Sequence, residues 1–411
     1  MPHRTTTITT MLLLGAMLTG GSTAPGPTGP GVQESPTPPL GRGRERIYDY
    51  TVRVTVGDPT HVNGFNDLAD RAMACEATRL VFPMVLRGDY TLVDPERIRV
   101  TGMIGGRWTT EGVSWTLRPP GPDGTAVVEL TFPPFSSAYL GMEVRWRVRT
   151  WEPTIDEAGA AGIGWPEQWP PEVAPFLQPS RFIDSESSRV RAFVESVTND
   201  RQREVPIYLA AKELTRHVVR HFRNVDGGRT NVDAASSCDQ SLELGRGSRT
   251  DMTCLAVACL RAAGIPARPV MGLGTYLSKS LGKQVQTWLP WCEFYLPGAG
   301  WVAFDPFEMR GKGIEFKSLE APWPWFGSER AFSERAAQAY ELFVPGSTQP
   351  FECRFELTNG ADPGVRGAAL ATRFRRFRPW GWMAATCTYE ACPVFLESIT
   401  RNNRTGSLLD R

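Results

Sequence analysis

The feature that most constrains the fold of this chain is an apolar run from Met252 to Ala263, which carries signals for both ends of a helix. The run is apolar nearly all round, which is typical of a helix buried on every side. Ser248 and Asp251 have the spacing of a capping box at its start, and Gly264 suits the left-handed position that ends a helix. The sequence therefore predicts a buried central helix that other layers of the fold must cover.

The segments after this helix read as strands, and the segments before it as helices. Strands are predicted at residues 268–277, 288–296 and 301–304, and residues 297–300 form a four-residue hairpin turn between the last two. Helices are predicted at residues 189–197, 207–222 and 333–342, with a polar loop at 224–241. A buried helix packed on an antiparallel sheet gives an α+β fold class, and we place this core at residues 180–345.

The N-terminal half of the chain has the pattern of an all-β domain. Short segments that lean towards apolar–polar alternation are separated by turns rich in Pro and Gly. The predicted strands cover residues 48–56, 78–85, 97–101, 113–117, 126–132 and 142–150. We expect an N-terminal β-sandwich at residues 46–152 and a small β-like C-terminal region at 350–398.

The first residues have the pattern of an export signal. Arg4 precedes a short apolar run at residues 11–18, and Ser22 is the best candidate for the last signal residue. We expect a signal peptide at residues 1–22, a disordered linker at 23–45, and a periplasmic, cell-envelope or extracellular location. Eight apolar residues are too few to cross a bilayer, which needs roughly 20, and no other segment qualifies as a membrane span.

Charge and residue spacing exclude several classes of function. The chain has 45 Lys+Arg against 44 Asp+Glu, so no global field favours nucleic acid as a partner. His217 and His221 lie one helical turn apart without the Glu of a zinc-protease motif, and we expect two ordinary solvent-facing residues, no metal and no cofactor. The basic and aromatic residues at 373–378 favour a half-buried strand over an anionic ligand.

The eight cysteines allow disulfides in an exported chain but do not require them. No CxxC pair and no Cys/His spacing indicates zinc. Cys387 and Cys392 are the best local candidates for a bridge.

Three motifs around the central helix resemble those of the transglutaminase-like superfamily, a papain-like fold with a Cys-His-Asp triad. Gly-Ser-Arg-Thr-Asp-Met from Gly247 runs without a gap to Gly-Ile-Pro-Ala-Arg at Arg268. Glu-Phe-Tyr-Leu-Pro-Gly-Ala-Gly-Trp follows from Glu293, and Asp-Pro ends the third motif. In this alignment Arg249 stands at the Cys position, Leu289 at the His position and Asp305 at the Asp position.

The resemblance therefore implies the fold but not the activity of the family. Arg249 stays protonated and is no nucleophile, and Leu289 transfers no proton. We expect a non-catalytic module that binds a protein or peptide. Two alternatives remain: a transglutaminase or peptidase that uses a relocated thiol, Cys238 or Cys254, and a purely structural spacer in a cell-envelope assembly.

The substitution at position 249 also predicts a specific contact. Asp305 loses its His partner, and an Arg side chain is long enough to reach it across the apolar space around Leu289. We therefore expect Arg249 to point into the former active site and to pair with Asp305, with Asp251 as the nearest competitor.

Overall fold

The computed structural model describes twelve stretches of the chain. They are residues 38–57, 73–75, 78–104, 107–133, 135–137, 139–180, 182–225, 237–278, 283–341, 351–355, 370–374 and 394–404. The predicted signal peptide, most of the predicted linker, and Cys387 with Cys392 lie outside these stretches.

Nineteen strands and six helices are present in these stretches. The strands of the N-terminal half are β1 (Leu40–Gly57), β2 (Met73–Cys75), β3 (Thr78–Met84), β4 (Thr91–Val93), β5 (Arg99–Ile104), β6 (Arg107–Thr109), β7 (Ser114–Arg118), β8 (Ala126–Phe132), β9 (Phe135–Ser137) and β10 (Tyr139–Ile155). The later strands are β11 (Asn224–Val225), β12 (Arg246–Gly247), β13 (Ala267–Ser278), β14 (Lys283–Leu296), β15 (Gly300–Phe304), β16 (Ala336–Tyr340), β17 (Phe351–Phe355), β18 (Leu370–Phe374) and β19 (Val394–Arg404). The helices are α1 (Glu157–Ala161), α2 (Ser188–Thr198), α3 (Ile207–His221), α4 (Cys238–Leu244), α5 (Arg249–Ala262) and α6 (Pro306–Met309).

The strands of the N-terminal half form two main sheets whose side chains share one core. One sheet has the order β19-β1-β10-β5-β6, with β4 also paired to β10, and the other has the order β3-β8-β7. Trp146 of β10 stacks on Tyr50 at 5.4 Å between ring centroids and contacts Phe82 of β3 at the same distance. These aromatic contacts join side chains of the two sheets.

A four-stranded antiparallel sheet of order β15-β14-β13-β16 supports α5 in the second half of the chain. Residues 249–261 of α5 are all buried, because the helix contacts α2, α3 and α4 as well as β13 and β14. Both side chains of its capping box are in place: Ser248 Oγ accepts from the Asp251 amide at 3.1 Å, and Asp251 Oδ2 accepts from the Ser248 amide at 2.7 Å. The capping box therefore fixes the helix start at Arg249, inside the first motif.

Three sequence-based expectations differ from the structure. Residues 333–342 were expected to form a helix, but β16 forms there, because Ala336–Tyr340 is completely buried as the neighbour of β13 and this pairing overrides the helix propensity of its alanines. The expected loop at 224–241 contains the start of α4, whose capping box at Ser237 was not recognised. Strand β1 begins at Leu40, paired with Ile155, so residues 40–45 of the expected linker belong to a sheet.

Candidate functional site

The triad positions in the second half of the chain are all buried. Arg249 begins α5, Leu289 lies in β14, and Asp305 directly follows β15 and caps α6. Their exposed fractions are 2%, 3% and 0%. The structure thus pairs Arg249 with Asp305 and closes both off from solvent, while the buried Leu289 lies beside Arg335 near Gly274.

The predicted ion pair between Arg249 and Asp305 is confirmed. Arg249 Nη2 donates to Asp305 Oδ2. The other carboxylate oxygen, Oδ1, accepts from the backbone amides of Phe307 and Glu308, both at 3.1 Å. The Asp251 carboxylate, the expected competitor, instead caps α5 through the Ser248 amide.

A second arginine, which the motifs did not reveal, approaches the same carboxylate oxygen. Arg335 Nη1 donates to Asp305 Oδ2 at 2.6 Å, and Arg335 is 5% exposed. Glu308 Oε1 lies 3.1 Å from Arg249 Nη2 and 3.7 Å from Arg335 Nη2. The four residues form a network of two cations and two anions, which we call the charge network. Its formal charge balances, as the burial of charged groups requires.

Aromatic rings cover the two guanidinium groups. Arg249 lies 4.6 Å from the ring centroid of Phe307, and Arg335 lies 4.6 Å from that of Trp325 and 5.7 Å from that of Trp291. Cation–π contacts of this kind stabilise a cation that has lost its water. Both guanidinium groups of the charge network therefore lie against aromatic rings instead of water.

The charge network sets the electrostatics of Asp305. Burial raises the pKa of this carboxyl, but the attraction of Arg249 and Arg335 and the hydrogen bonds outweigh burial, and the pKa lies below its ordinary value. Burial lowers the pKa of Arg335 more than the neighbouring carboxylates raise it. Asp305 is therefore a fixed anion at neutral pH and has no proton to exchange.

The two cysteines considered as relocated nucleophiles are buried thiols. Burial raises the pKa of Cys238 to about 12, and its Sγ donates to the carbonyl of Phe182 at 3.1 Å. Burial also raises the pKa of Cys254, well above the ordinary value. A neutral, buried thiol is a poor nucleophile, since the thiolate is the reactive form.

The two histidines of α3 each have a separate partner. His217 Nε2 lies 3.1 Å from Glu213 Oε1, and His221 Nε2 lies 2.8 Å from the carbonyl of Leu242. Within the described stretches, no group of three or more His, Cys, Asp or Glu side chains is placed to hold a metal ion. Strand β18 includes Arg373 and Phe374 of the basic–aromatic segment, and residues 375–378 lie outside the described residues.

Other family-motif residues hold the sheet together. Arg268 of β13 donates through Nε and Nη2 to Glu293 Oε2 of β14, at 2.9 and 2.7 Å. The two residues are register partners, and Arg268 also lies over the rings of Tyr340 and Trp301. These motif residues are positioned to fix the strand register rather than to react.

Comparison with known proteins finds a family-model match over part of the chain. The family model described as the transglutaminase-like superfamily matches residues 191–306. No curated protein sequence matches the chain.

Two of the solved structures that resemble the chain differ greatly in how closely they match. One, described as a "putative cysteine protease" from Cytophaga hutchinsonii, is 14% identical with a TM-score of 0.51, and the match covers 90% of this chain and 94% of that one. The other, described as a "putative protease" from Parabacteroides distasonis, is 10% identical with a TM-score of 0.22, and the match covers 62% of this chain and 63% of that one. The first likeness indicates a similar fold and nothing further. The second is too low to indicate a shared fold.

Proposed function

We propose, since residues 191–306 are a transglutaminase-like domain, that this chain is a non-catalytic member of that superfamily which binds a protein or peptide. The observation that carries the proposal is the charge network at the triad positions. A triad needs a thiolate, a base and an orienting carboxylate, and here only the carboxylate remains, held by two arginines.

We also propose the domain architecture and the cellular location that the sequence predicts. We regard the N-terminal sheets as a β-sandwich that carries the core with its buried central helix, and the chain as exported. The apolar run at residues 11–18 supports export. Within the described residues, no helix is long and apolar enough to cross a bilayer.

The competing function is a transferase or peptidase that works through Cys238 or Cys254. Both side chains are buried and their pKa values are raised, which argues for structural roles. A nucleophile also needs a base within hydrogen-bond reach, and among the described residues Cys238 Sγ meets a carbonyl acceptor, that of Phe182, and no base.

The experiment is an assay of glutamine-amide transfer and peptide hydrolysis on the purified protein, paired with site-resolved iodoacetamide labelling by mass spectrometry. We expect product formation at the rate of the buffer blank. We also expect no label on Cys238 or Cys254 in the native protein, with labelling of both after unfolding in guanidinium. Turnover that iodoacetamide abolishes, together with native labelling of either cysteine, would overturn the proposal.

A further inference from the structure

A groove separate from the charge network lies between α2, α3 and α4. Its volume is about 440 Å³. Phe193 of α2, Arg220 and Arg223 at the end of α3, and residues 242–245 at the end of α4 line it. None of the four residues of the charge network contributes to its wall, so a ligand here would not need the buried triad positions.

The charges of this α2–α3–α4 groove do not balance. Its carboxylate, Glu243, is already paired with Arg189 at 2.9 Å. The guanidinium of Arg220 donates to the backbone carbonyl of Glu315, a neutral acceptor. No carboxylate of the described residues pairs with Arg220 or Arg223, and Arg223 is exposed. The groove thus offers two guanidinium groups whose charge is not compensated by an anion, which favours a ligand with carboxylates.

Apolar side chains line the same groove. Leu244 is 55% exposed, and the half-buried ring of Phe193 lies in the wall as well. Leu244 is among the most exposed large hydrophobic residues in the described part of the chain. Aromatic and arginine side chains on a common surface are the composition enriched in protein–protein interfaces.

We propose that the α2–α3–α4 groove binds a protein segment that carries carboxylates beside apolar side chains. The carboxylates pair with Arg220 and Arg223, and the apolar side chains pack on Leu244 and Phe193. This inference rests on the proposed binding function and gives it a site and a partner chemistry. A basic segment is excluded by charge, and a purely apolar one leaves both guanidinium groups without a partner.

The test is fluorescence anisotropy with two labelled peptides and the full-length protein. One peptide alternates Glu with Phe and Leu, and the other has Lys in place of each Glu. We expect saturable binding of the Glu peptide that weakens as salt is added, and no saturable binding of the Lys peptide. Arg223→Gln and Leu244→Ser should each weaken binding by about fivefold or more.

Two variants outside the groove serve as matched controls. Arg145→Gln removes an exposed arginine of β10, and Val205→Ser removes an exposed apolar side chain before α3; both should bind as the wild type does. Binding that is unchanged in Arg223→Gln and Leu244→Ser would exclude the groove and leave the binding function standing. Equal binding of both peptides would overturn the acidic chemistry. If neither peptide binds, the inference is contradicted. The amide-transfer assay described above tests separately whether the chain is non-catalytic.

Discussion

Asp305 supplies negative charge to two buried cations, because the guanidinium groups of Arg249 and Arg335 both approach one of its carboxylate oxygens. Replacing it by Asn keeps the shape and the acceptor for the α6 amides but leaves Arg249 and Arg335 facing each other with Glu308 alone. Removing one partner from a buried ion network costs about 3–5 kcal/mol. We therefore expect Asp305→Asn to lower the free energy of unfolding by this amount in urea denaturation. Glu45→Gln, in the exposed pair with Arg149, is the control and should have little effect. A similar small loss in both variants would mean that the network contributes little.

The lowered pKa of Asp305 also predicts an acid dependence of stability. A carboxyl whose pKa is lower in the folded than in the unfolded chain adds stability above its unfolded pKa of about 4. That stability is lost as the pH falls through the folded value. The gap in unfolding free energy between the wild type and Asp305→Asn should therefore be largest near pH 6 and should shrink below about pH 4. Urea unfolding at a series of pH values measures it, and a gap that is constant or grows in acid would contradict the assignment.

The site residues differ in how far the sequence revealed them. The contact between Arg249 and Asp305 was predictable because the motifs fixed both positions and the missing imidazole left the carboxylate without a partner. Arg335 was not, because it belongs to no motif and lies in the segment 333–342, whose composition favours a helix. Only the pairing of β16 with β13 brings its side chain beside Leu289, where both approach Gly274. Glu308 was missed because nothing in its spacing separates it from a surface residue.

Among the elements, β13 is tightly packed, with β14 and β16 on its two sides. A Cβ added at Gly272 would lie 2.2 Å from two ring atoms of Trp291 and 2.6 Å from the carbonyl of Ala336. Neither the ring nor the neighbouring backbone can move far in a filled core. We expect Gly272→Ala to destabilise the fold by about 3 kcal/mol, measured by thermal or urea unfolding. Gly164→Ala, where no atom lies within 4 Å of the added Cβ, should change the stability by about 0.5 kcal/mol or less. If the two variants are equally stable, β13 is less tightly held than its contacts indicate.

The elements show what periodicity can and cannot predict. The helices α2, α3 and α5 lie where the sequence placed them, because each has caps or an apolar face that local rules recognise. Strand β16 has neither caps nor an amphipathic pattern. It forms a strand because it pairs with β13 at the edge of the sheet. Strand β1 extends to Leu40 for the same reason, since β10 supplies a partner for residues whose Pro- and Gly-rich composition resembles a linker.

At the scale of the whole molecule, the described residues from Pro38 onward belong to one compact unit, and buried hydrogen bonds join its N-terminal sheets to its second half. Thr150 of β10 is fully buried, and its Oγ1 donates to the carbonyl of Ser333 at 2.6 Å. Thr125 Oγ1 accepts from the amide of Tyr340 at 3.0 Å. One continuous core includes Val148 of the N-terminal sheet and Leu255 of α5. We therefore expect the halves to unfold together rather than as independent domains.

A variant at this junction tests that expectation. Thr150→Val keeps the shape of the side chain but leaves the buried carbonyl of Ser333 without this donor, which costs about 1–3 kcal/mol. Hydrogen exchange in increasing denaturant, followed by mass spectrometry, reports on β8 and α5 separately. We expect one midpoint for both elements in the wild type, and an equal decrease of both midpoints in Thr150→Val. Thr116→Val, on the exposed strand β7, is the control and should leave them unchanged. A midpoint that decreases in β8 but not in α5 would contradict the expectation. It would mean that the N-terminal sheets unfold as a unit of their own, since the stability lost at Thr150 would then leave α5 unaffected.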